Sequence, residues 1–433
     1  MTKHTFLLMC LLASTASVSL MGQHWPQWRG PTRNGVSPET AALPVTWSKT
    51  ENVAWKLPLP SYSGSTPIIW NDRVFLNVAT AADSGDLELW AVDRKTQAPR
   101  WKRRTAPGNH RQRKQNMSSP SPVTDGRHVW VMTGVGVIKA FDFAGQEIWS
   151  RDIQADYGQF GLNWGYASSP LLHDTGLYIQ VLHGMKTDAP SYVLRLDKTT
   201  GKTVWKVERP TTARQESPDA YTTPVLLQYD GKTEIVISGG DAVTGHDAET
   251  GKELWRANVL NPTQNGAYRI VASTTVMGDL IVAPSRVNPM VALRPGGRGD
   301  IGKSHLAWSF SRGPDVPTPV SDGTYVYVVS DNGVVHCLDL KTGAIVYGPE
   351  RLPSDTYSAS PVLADGKIYV TGESQGVTQV FRAGPKFELL ASNSFDEYCS
   401  PYCLSTIAVS EGQLFIRSST HLWVIGQRAV AKK

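Results

Sequence analysis

"DKTTGKTVW" (197–205) and "DAETGKELW" (247–255) spell nearly the same nine residues fifty positions apart. Self-similarity at a period of 20–50 residues is the signature of a repeat architecture. Around the two stretches a longer template emerges: a pair of small residues before Pro, a short apolar strand, a "DG"-type turn and a second β-rich strand. A variable gap follows, then a strand ending in Asp, a "TGK" turn and a strand carrying Trp. The openings are plainest in "SPSPVTDGRHVWV" (119–131), "TPVSDGTYVYVV" (318–329) and "SPVLADGKIYVTG" (360–372).

The opening Pro falls at Pro67, Pro122, Pro170, Pro224, Pro319 and Pro361, with Thr275 and Ile407 standing in for it in two further copies. The closing Trp recurs at Trp101, Trp149, Trp205, Trp255 and Trp308; Tyr347 and Leu390 take its place later. The eighth copy stops at "HLWVIGQ" (421–427) without its last strand, while "NVAWKLPL" (52–59) has Trp55 and no opening half before it. Seven units are whole. The eighth is expected to combine three C-terminal strands with one N-terminal strand.

Stretches such as "HVWVMT" and "TYVYVVS" alternate with strand period, and no segment sustains a helical one. Short strands with frequent turn signals indicate an all-β chain. Four strands per unit of this length predict an eight-bladed β-propeller of four-stranded antiparallel blades, its ring closed by the N-terminal strand. Gly in "TGK" supplies the positive φ of a tight turn, and the Asp ahead can accept turn amides. The Trp is expected to pack between blades, covering surface that one blade cannot bury alone.

Of 433 residues, 40% are hydrophobic and 19% charged, which is enough for a large core. Residues 1–22 read as a secretion signal, cleaved somewhere in 16–22, with Cys10 inside its apolar stretch and no pattern for a lipid anchor. Residues 23–44 form an N-terminal extension, 45–427 the propeller and 428–433 a tail. No other stretch is long and apolar enough to span a bilayer. The mature chain is therefore expected to be exported, periplasmic or secreted, and monomeric. Three Cys remain after the signal; Cys399 and Cys403 could close a small disulfide loop or stay as thiols, and Cys337 reads as a small core residue. The Cys and His present lack ligand spacing for zinc.

At this point the residues resemble a known family. "LDKTTGKTVW", "HDAETGKELW" and "LDLKTGAIVY" are similar to the tryptophan-docking repeat of pyrroloquinoline-quinone-type (PQQ-like) β-propellers, over about residues 45–427. "WPQWRGPTRNGVS" (25–37) looks like the leader of exported bacterial members. Such blades serve quinoprotein dehydrogenases and barrel-assembly scaffolds alike. The quinone enzymes carry a disulfide between adjacent cysteines and a calcium ion with several oxygen ligands. This chain has no Cys-Cys pair, and no Asp/Asn/Glu cluster maps to the calcium site. The resemblance therefore implies a binding or scaffold module without catalysis and without a cofactor. A PQQ- and Ca²⁺-dependent oxidoreductase with an atypical site is the alternative, and a carbohydrate-active enzyme using funnel carboxylates the second.

One face of such a wheel carries the loops between blades and those between second and third strands. These loops are long and varied here, whereas the "TGK" and "DG" turns opposite are short and uniform. Variable loops on a rigid scaffold are where function concentrates. Tyr62, Tyr166, Tyr221, Tyr268, Tyr357, Tyr398 and Tyr402 stand before the blade openings, either to stack on a ligand or to plug the packing between blades. Trp164, Arg214 and Arg269 lie in the same loops. From Arg100 to Lys114 run seven Lys/Arg and no acid, and His110, Arg111, Arg113 and Lys114 in "NHRQRKQN" should form the loop into the second blade. That loop is either a solvated basic surface or a lure for an anionic partner, protein first and saccharide second. Nucleic acid is not expected, since a strongly basic domain is missing. His336 reads as facing the core or the rim. Asp241, Asp331 and Glu373 fall near the same loops. No nucleophile elbow accompanies the Ser-rich openings.

Overall fold

The computed structural model describes residues 23–285 and 289–427; the expected signal and C-terminal tail lie outside them. Eight four-stranded antiparallel blades are present among these residues, the fourth extended by the short strand Gly299–Asp300, which pairs parallel with Glu253–Ala257, and the only α-helix among them is the single turn Ile153–Tyr157. Blade three shows the pattern: Leu171–His173, Gly176–Val181, Tyr192–Asp197 and Thr203–Glu208 pair in chain order. The eighth blade takes Ala408–Ser410, Gln413–Arg417 and His421–Ile425 from one end of the chain and Val53–Pro58 from the other. Trp55 stands opposite Val424, and Lys56 opposite Trp423. Sheet pairing thus joins the two chain ends and leaves no open seam in the ring. No helix among the described residues is long and apolar enough to cross a membrane.

The repeated Trp and Gly act as one device. Gly201, at φ +69°, turns the corner between the third and fourth strands of blade three, and a Cβ there would lie 2.6 Å from the Trp149 ring of blade two. The indole Nε1 of Trp149 donates to Lys198 O in the same turn at 2.9 Å. Trp101 lies on Gly145, Trp205 on Gly251 and Trp308 on Gly343 in the same way, with indole bonds to Phe143 O, Ala248 O and Leu340 O. The turn therefore needs Gly twice over, for its φ and for the ring that covers it. Trp255 departs from the expected docking. Blade five has no "TGK" turn to offer, so Trp255 folds back across Gly245 of its own blade and donates to Glu234 Oε2 at 2.7 Å.

The small residues before each Pro do a second job that the repeat alone does not reveal. Thr66 N donates to Ser121 Oγ, Ser121 N to Ser169 Oγ, and Ser169 N to Thr223 Oγ1. The chain of bonds continues through Ser273, Thr318 and Ser360 to Thr406. A belt of hydroxyls thus links the first strand of every blade to the next around the axis. The join between blades eight and one differs: Ser405 Oγ donates to Ser65 O at 2.9 Å, and Thr66 Oγ1 has no partner. The belt also corrects the repeat count. Ser273 is its member in blade five, and Thr275 pairs with Val282 as Ile68 pairs with Phe75. Thr274, not Thr275, therefore stands at the proline position.

The N-terminal extension crosses the face of the "DG" turns. Trp25 bridges Ile69 of blade one, Pro26 O accepts from Thr124 of blade two, and Val36 bridges Leu363 of blade seven. Arg29 is buried in the axis and donates to Pro319 O and Pro361 O, both at 2.7 Å. Burial without a carboxylate partner lowers its pKa to about 9. Its neighbour Trp28 reaches the lining of the central cavity. The extension thus occupies the axis on one side, and the variable loops surround it on the other.

Candidate functional site: the central funnel

A cavity of about 850 Å³ lies on the axis, bounded by the hydroxyl belt and the variable loops. That is within the range of small-molecule sites, roughly 300–1,000 Å³. Four cations line it, Lys114, Arg269, Arg312 and Arg351, against two carboxylates, Asp315 and Asp331. Both carboxylates are engaged. Asp331 accepts the amides of Asp315 and Val316 at 2.9 and 3.0 Å, and burial raises its pKa. Asp315 Oδ2 lies 3.3 Å from Arg269 Nη2.

The basic run of the sequence divides in two. Arg100 and Arg104 sit on the outer strand Ala98–Ala106 and pair with Asp93 and Asp86. Only its end reaches the funnel. There "RQRKQN" makes a tight hairpin, Arg111 opposite Asn116 and Gln112 opposite Gln115, with Arg113 at φ +62° in the turn. Gln112 Nε2 donates to Leu162 O and Asn163 O, and Gln115 Nε2 to Trp164 O and Gly165 O. Lys114 at the tip meets Glu373 Oε1 of blade seven at 2.8 Å. Glu373 is buried and its other oxygen accepts from Ser358 Oγ. The hairpin is therefore a strap, running from the second blade to the seventh.

Under the strap, Trp164 carries the guanidinium of Arg113 at 5.5 Å and that of Arg269 at 5.6 Å over its ring. Its indole donates to Glu216 Oε1 at 2.7 Å, and its amide to Tyr221 Oη at 2.9 Å. At the rim, Arg111 and Lys114 face the ring of Tyr402, which packs on Tyr62.

Of the residues singled out by sequence, Lys114, Trp164, Tyr221 and Arg269 line the cavity, and Arg111, Arg113 and Tyr402 stand beside them. Tyr62, Tyr166 and Tyr357 are buried between blades, Tyr166 Oη donating to Gln180 O and Tyr357 Oη to Pro353 O. Tyr268 is half-buried, and the exposed His110 and Arg214 stay outside the cavity lining. Tyr398 is 82% exposed. Cys399 and Cys403 form a disulfide in the rim loop, and Cys337 is buried in the core. Arg312, Arg351 and Trp28 had no repeat or charge-run signal to mark them.

A protein-family model described as the outer membrane protein assembly factor BamB matches residues 37–163, 114–347 and 291–384. The chain belongs to the PQQ-like repeat β-propeller family. Among solved structures, BamB from Moraxella catarrhalis is similar at 14% identity and TM-score 0.62, over 86% of this chain and 99% of that one. A europium-containing methanol dehydrogenase gives 11% identity and TM-score 0.67, over 94% and 99%. The quinohemoprotein alcohol dehydrogenase from Comamonas testosteroni gives 11% and 0.65, over 96% and 82%. No curated protein matches. Likenesses at these identities establish the wheel, and they include BamB and dehydrogenases alike.

The funnel does not fit the calcium–quinone pair that the resemblance to quinoprotein dehydrogenases implies. A calcium ion takes six to eight oxygen ligands. Among the described residues no group of three or more His, Cys, Asp or Glu converges for a metal, and the two lining carboxylates are already bonded. The disulfide spans four residues at the rim and lies outside the cavity lining.

Proposed function

We propose that this PQQ-like propeller is an exported, monomeric binding module. On this reading it holds an anionic ligand in the funnel without covalent chemistry. One observation carries it: four cationic side chains border a cavity whose two carboxylates are internally satisfied. Lys114 and Arg269 are paired with Glu373 and Asp315, and the excess of positive charge rests on Arg312 and Arg351, which attract oppositely charged ligands. An acidic segment of a protein partner and an acidic saccharide both suit that field. The match to an assembly-factor family favours a protein scaffold role, while the cavity volume favours a compact ligand or a short segment. The disulfide accords with an oxidising, exported compartment.

Titration of intrinsic Trp fluorescence with acidic and neutral peptide and oligosaccharide panels tests this. Binding should be confined to acidic members, and the double reversal Lys114→Glu with Arg269→Glu should weaken it at least ten-fold. Equal binding of neutral members would end the reading. Adding PQQ with Ca²⁺ should leave the melting temperature and dye reduction unchanged; a clear rise in either would favour the oxidoreductase instead.

A further inference from the structure

Part of the cavity lining comes from blades five and six, including Arg312, Val334, His336 and Arg351. His336 stands on the third strand of blade six, its ring centroid 5.2 Å from that of Phe310 of blade five in an edge-to-face arrangement. His336 is 1% exposed, lines the cavity, and neither ring nitrogen has a hydrogen-bond partner. Buried polar atoms are almost always paired, so two orphaned nitrogens on one ring call for an explanation. Burial, and then the charge of Arg312, hold its pKa below the usual imidazole value. The neutral ring offers one donor and one acceptor.

The same part of the lining carries Arg312, whose charge acts on His336, and Arg351, which pairs with Val334 beside it on the strand of His336. Both are exposed, both line the cavity, and neither makes an ion pair or side-chain hydrogen bond among the described residues. Guanidinium groups suit carboxylates through planar, two-pronged bonding. On the axial side, seven belt hydroxyls from Ser121 to Thr406 face the same cavity. Each oxygen already accepts a backbone amide. Their O–H groups donate to no acceptor among the described residues, so the lining is rich in donors. The ligand it suits is rich in acceptors, carries a carboxylate, and presents a hydroxyl to donate to the acceptor nitrogen of His336 and a second oxygen to accept from its N–H.

We propose that the part of the lining formed by blades five and six is the carboxylate subsite of an acidic-sugar site: a uronic acid lies with its carboxylate at Arg312 and Arg351, a ring hydroxyl at His336 and its remaining oxygens toward the belt. This rests on the funnel-binding reading and narrows it to one ligand class. Trp28, Trp164 and Tyr221 are the Trp and Tyr side chains of the same lining, Trp164 already carrying Arg113 and Arg269 over its ring.

The test uses the full mature chain and three probes: trigalacturonate, its methyl ester, and inorganic phosphate. Calorimetry at low salt should show trigalacturonate binding, with the ester at least ten-fold weaker because it keeps the skeleton and loses the charge. Arg312→Ala with Arg351→Ala should cost at least ten-fold, and the imidazole ¹⁵N resonances of His336 should shift on adding the trisaccharide to the wild type. No binding to the wild type, equal binding of the ester, an unshifted His336, or phosphate competing at equal affinity would each overturn the proposal. If Lys114→Glu with Arg269→Glu abolishes capture of acidic ligands while Arg312→Ala with Arg351→Ala does not, the subsite fails and the funnel reading stands.

Discussion

The ring of Trp149 lies on Gly201 of the next blade, 2.6 Å from where a Cβ would be, and its Nε1 reaches the carbonyl of Lys198. Gly201→Ala therefore meets two penalties. A positive φ costs Ala about 1 kcal/mol, and displacing a packed indole adds about 1–3 kcal/mol. Gly366, at φ +65° with nothing within 4 Å of a Cβ, isolates the first. Urea unfolding should show Gly201→Ala losing about 2–4 kcal/mol and Gly366→Ala about 1 kcal/mol. Equal losses would mean that the indole contact contributes nothing.

The hydroxyl belt makes a sharper comparison possible. Thr223 and Thr318 each accept a buried amide, from Ser169 and Ser273, whereas Thr66 Oγ1 has no partner. Thr→Val keeps the shape and removes the acceptor. Leaving a buried amide unpaired costs about 1–3 kcal/mol. Thr223→Val and Thr318→Val should each destabilise by that amount, and Thr66→Val should be neutral or slightly stabilising. A uniform effect at all three would show that the belt bonds do not hold the blades together.

Much of this wheel is legible in the sequence because its devices repeat. "TGK" and Trp recur at matching places, so their partnership shows as spacing, and the lone strand around Trp55 completes the count. The Ser/Thr before Pro is equally regular, yet its partner lies one blade away, where spacing cannot reveal a bond. Blade five lost its register for that reason: "STTV" offers three candidates, and only the bond from Ser273 N to Thr318 Oγ1 decides among them. The funnel was legible as a face but not as a site. Tyr62, Tyr166 and Tyr357 look alike in the repeat as Tyr221 does, and burial alone separates plugs from lining. Arg312 and His336 come from neighbouring blades and meet only in three dimensions, and "WPQWRG" has no periodicity to announce that it enters the axis.

His246 lies wholly buried, its Nδ1 3.1 Å from Gly251 O and its Nε2 3.0 Å from Thr244 Oγ1. Burial, the largest cause, lowers its pKa to about 4, and the charge of Arg209 adds to it. The unfolded chain then binds a proton that the folded chain refuses between pH 6.5 and pH 4. Stability from this group is full above pH 6.5, falls as pH drops to 4, and is flat below. The loss across that window is about 3 kcal/mol. His246→Gln should be less stable at pH 7 and should lose less on acidification than the wild type, read from urea midpoints at pH 7 and pH 4.5. Parallel pH profiles for the two proteins would show that His246 does not titrate in this range.

The strap across the funnel should open when its far anchor is removed. Lys114 is 41% exposed and Glu373 only 3%, so the ion pair is screened at one end and desolvated at the other. A fully exposed pair would contribute less than about 1 kcal/mol, and a charged hydrogen bond to a buried group about 1.5–3 kcal/mol. About 1 kcal/mol is a fair value between them, which is about five-fold in the population of the open strap. Glu373→Gln removes the charge but leaves the trypsin sites at Arg111, Arg113 and Lys114 in place. Trypsin should then cut the hairpin about five-fold faster, with the global melting temperature little changed. Ser358→Ala, which keeps the Lys114 contact, should have a smaller effect. If Glu373→Gln is cut at the wild-type rate, the amides of Gln112 and Gln115 on the 162–165 carbonyls hold the strap unaided, and Lys114 is free to meet a ligand.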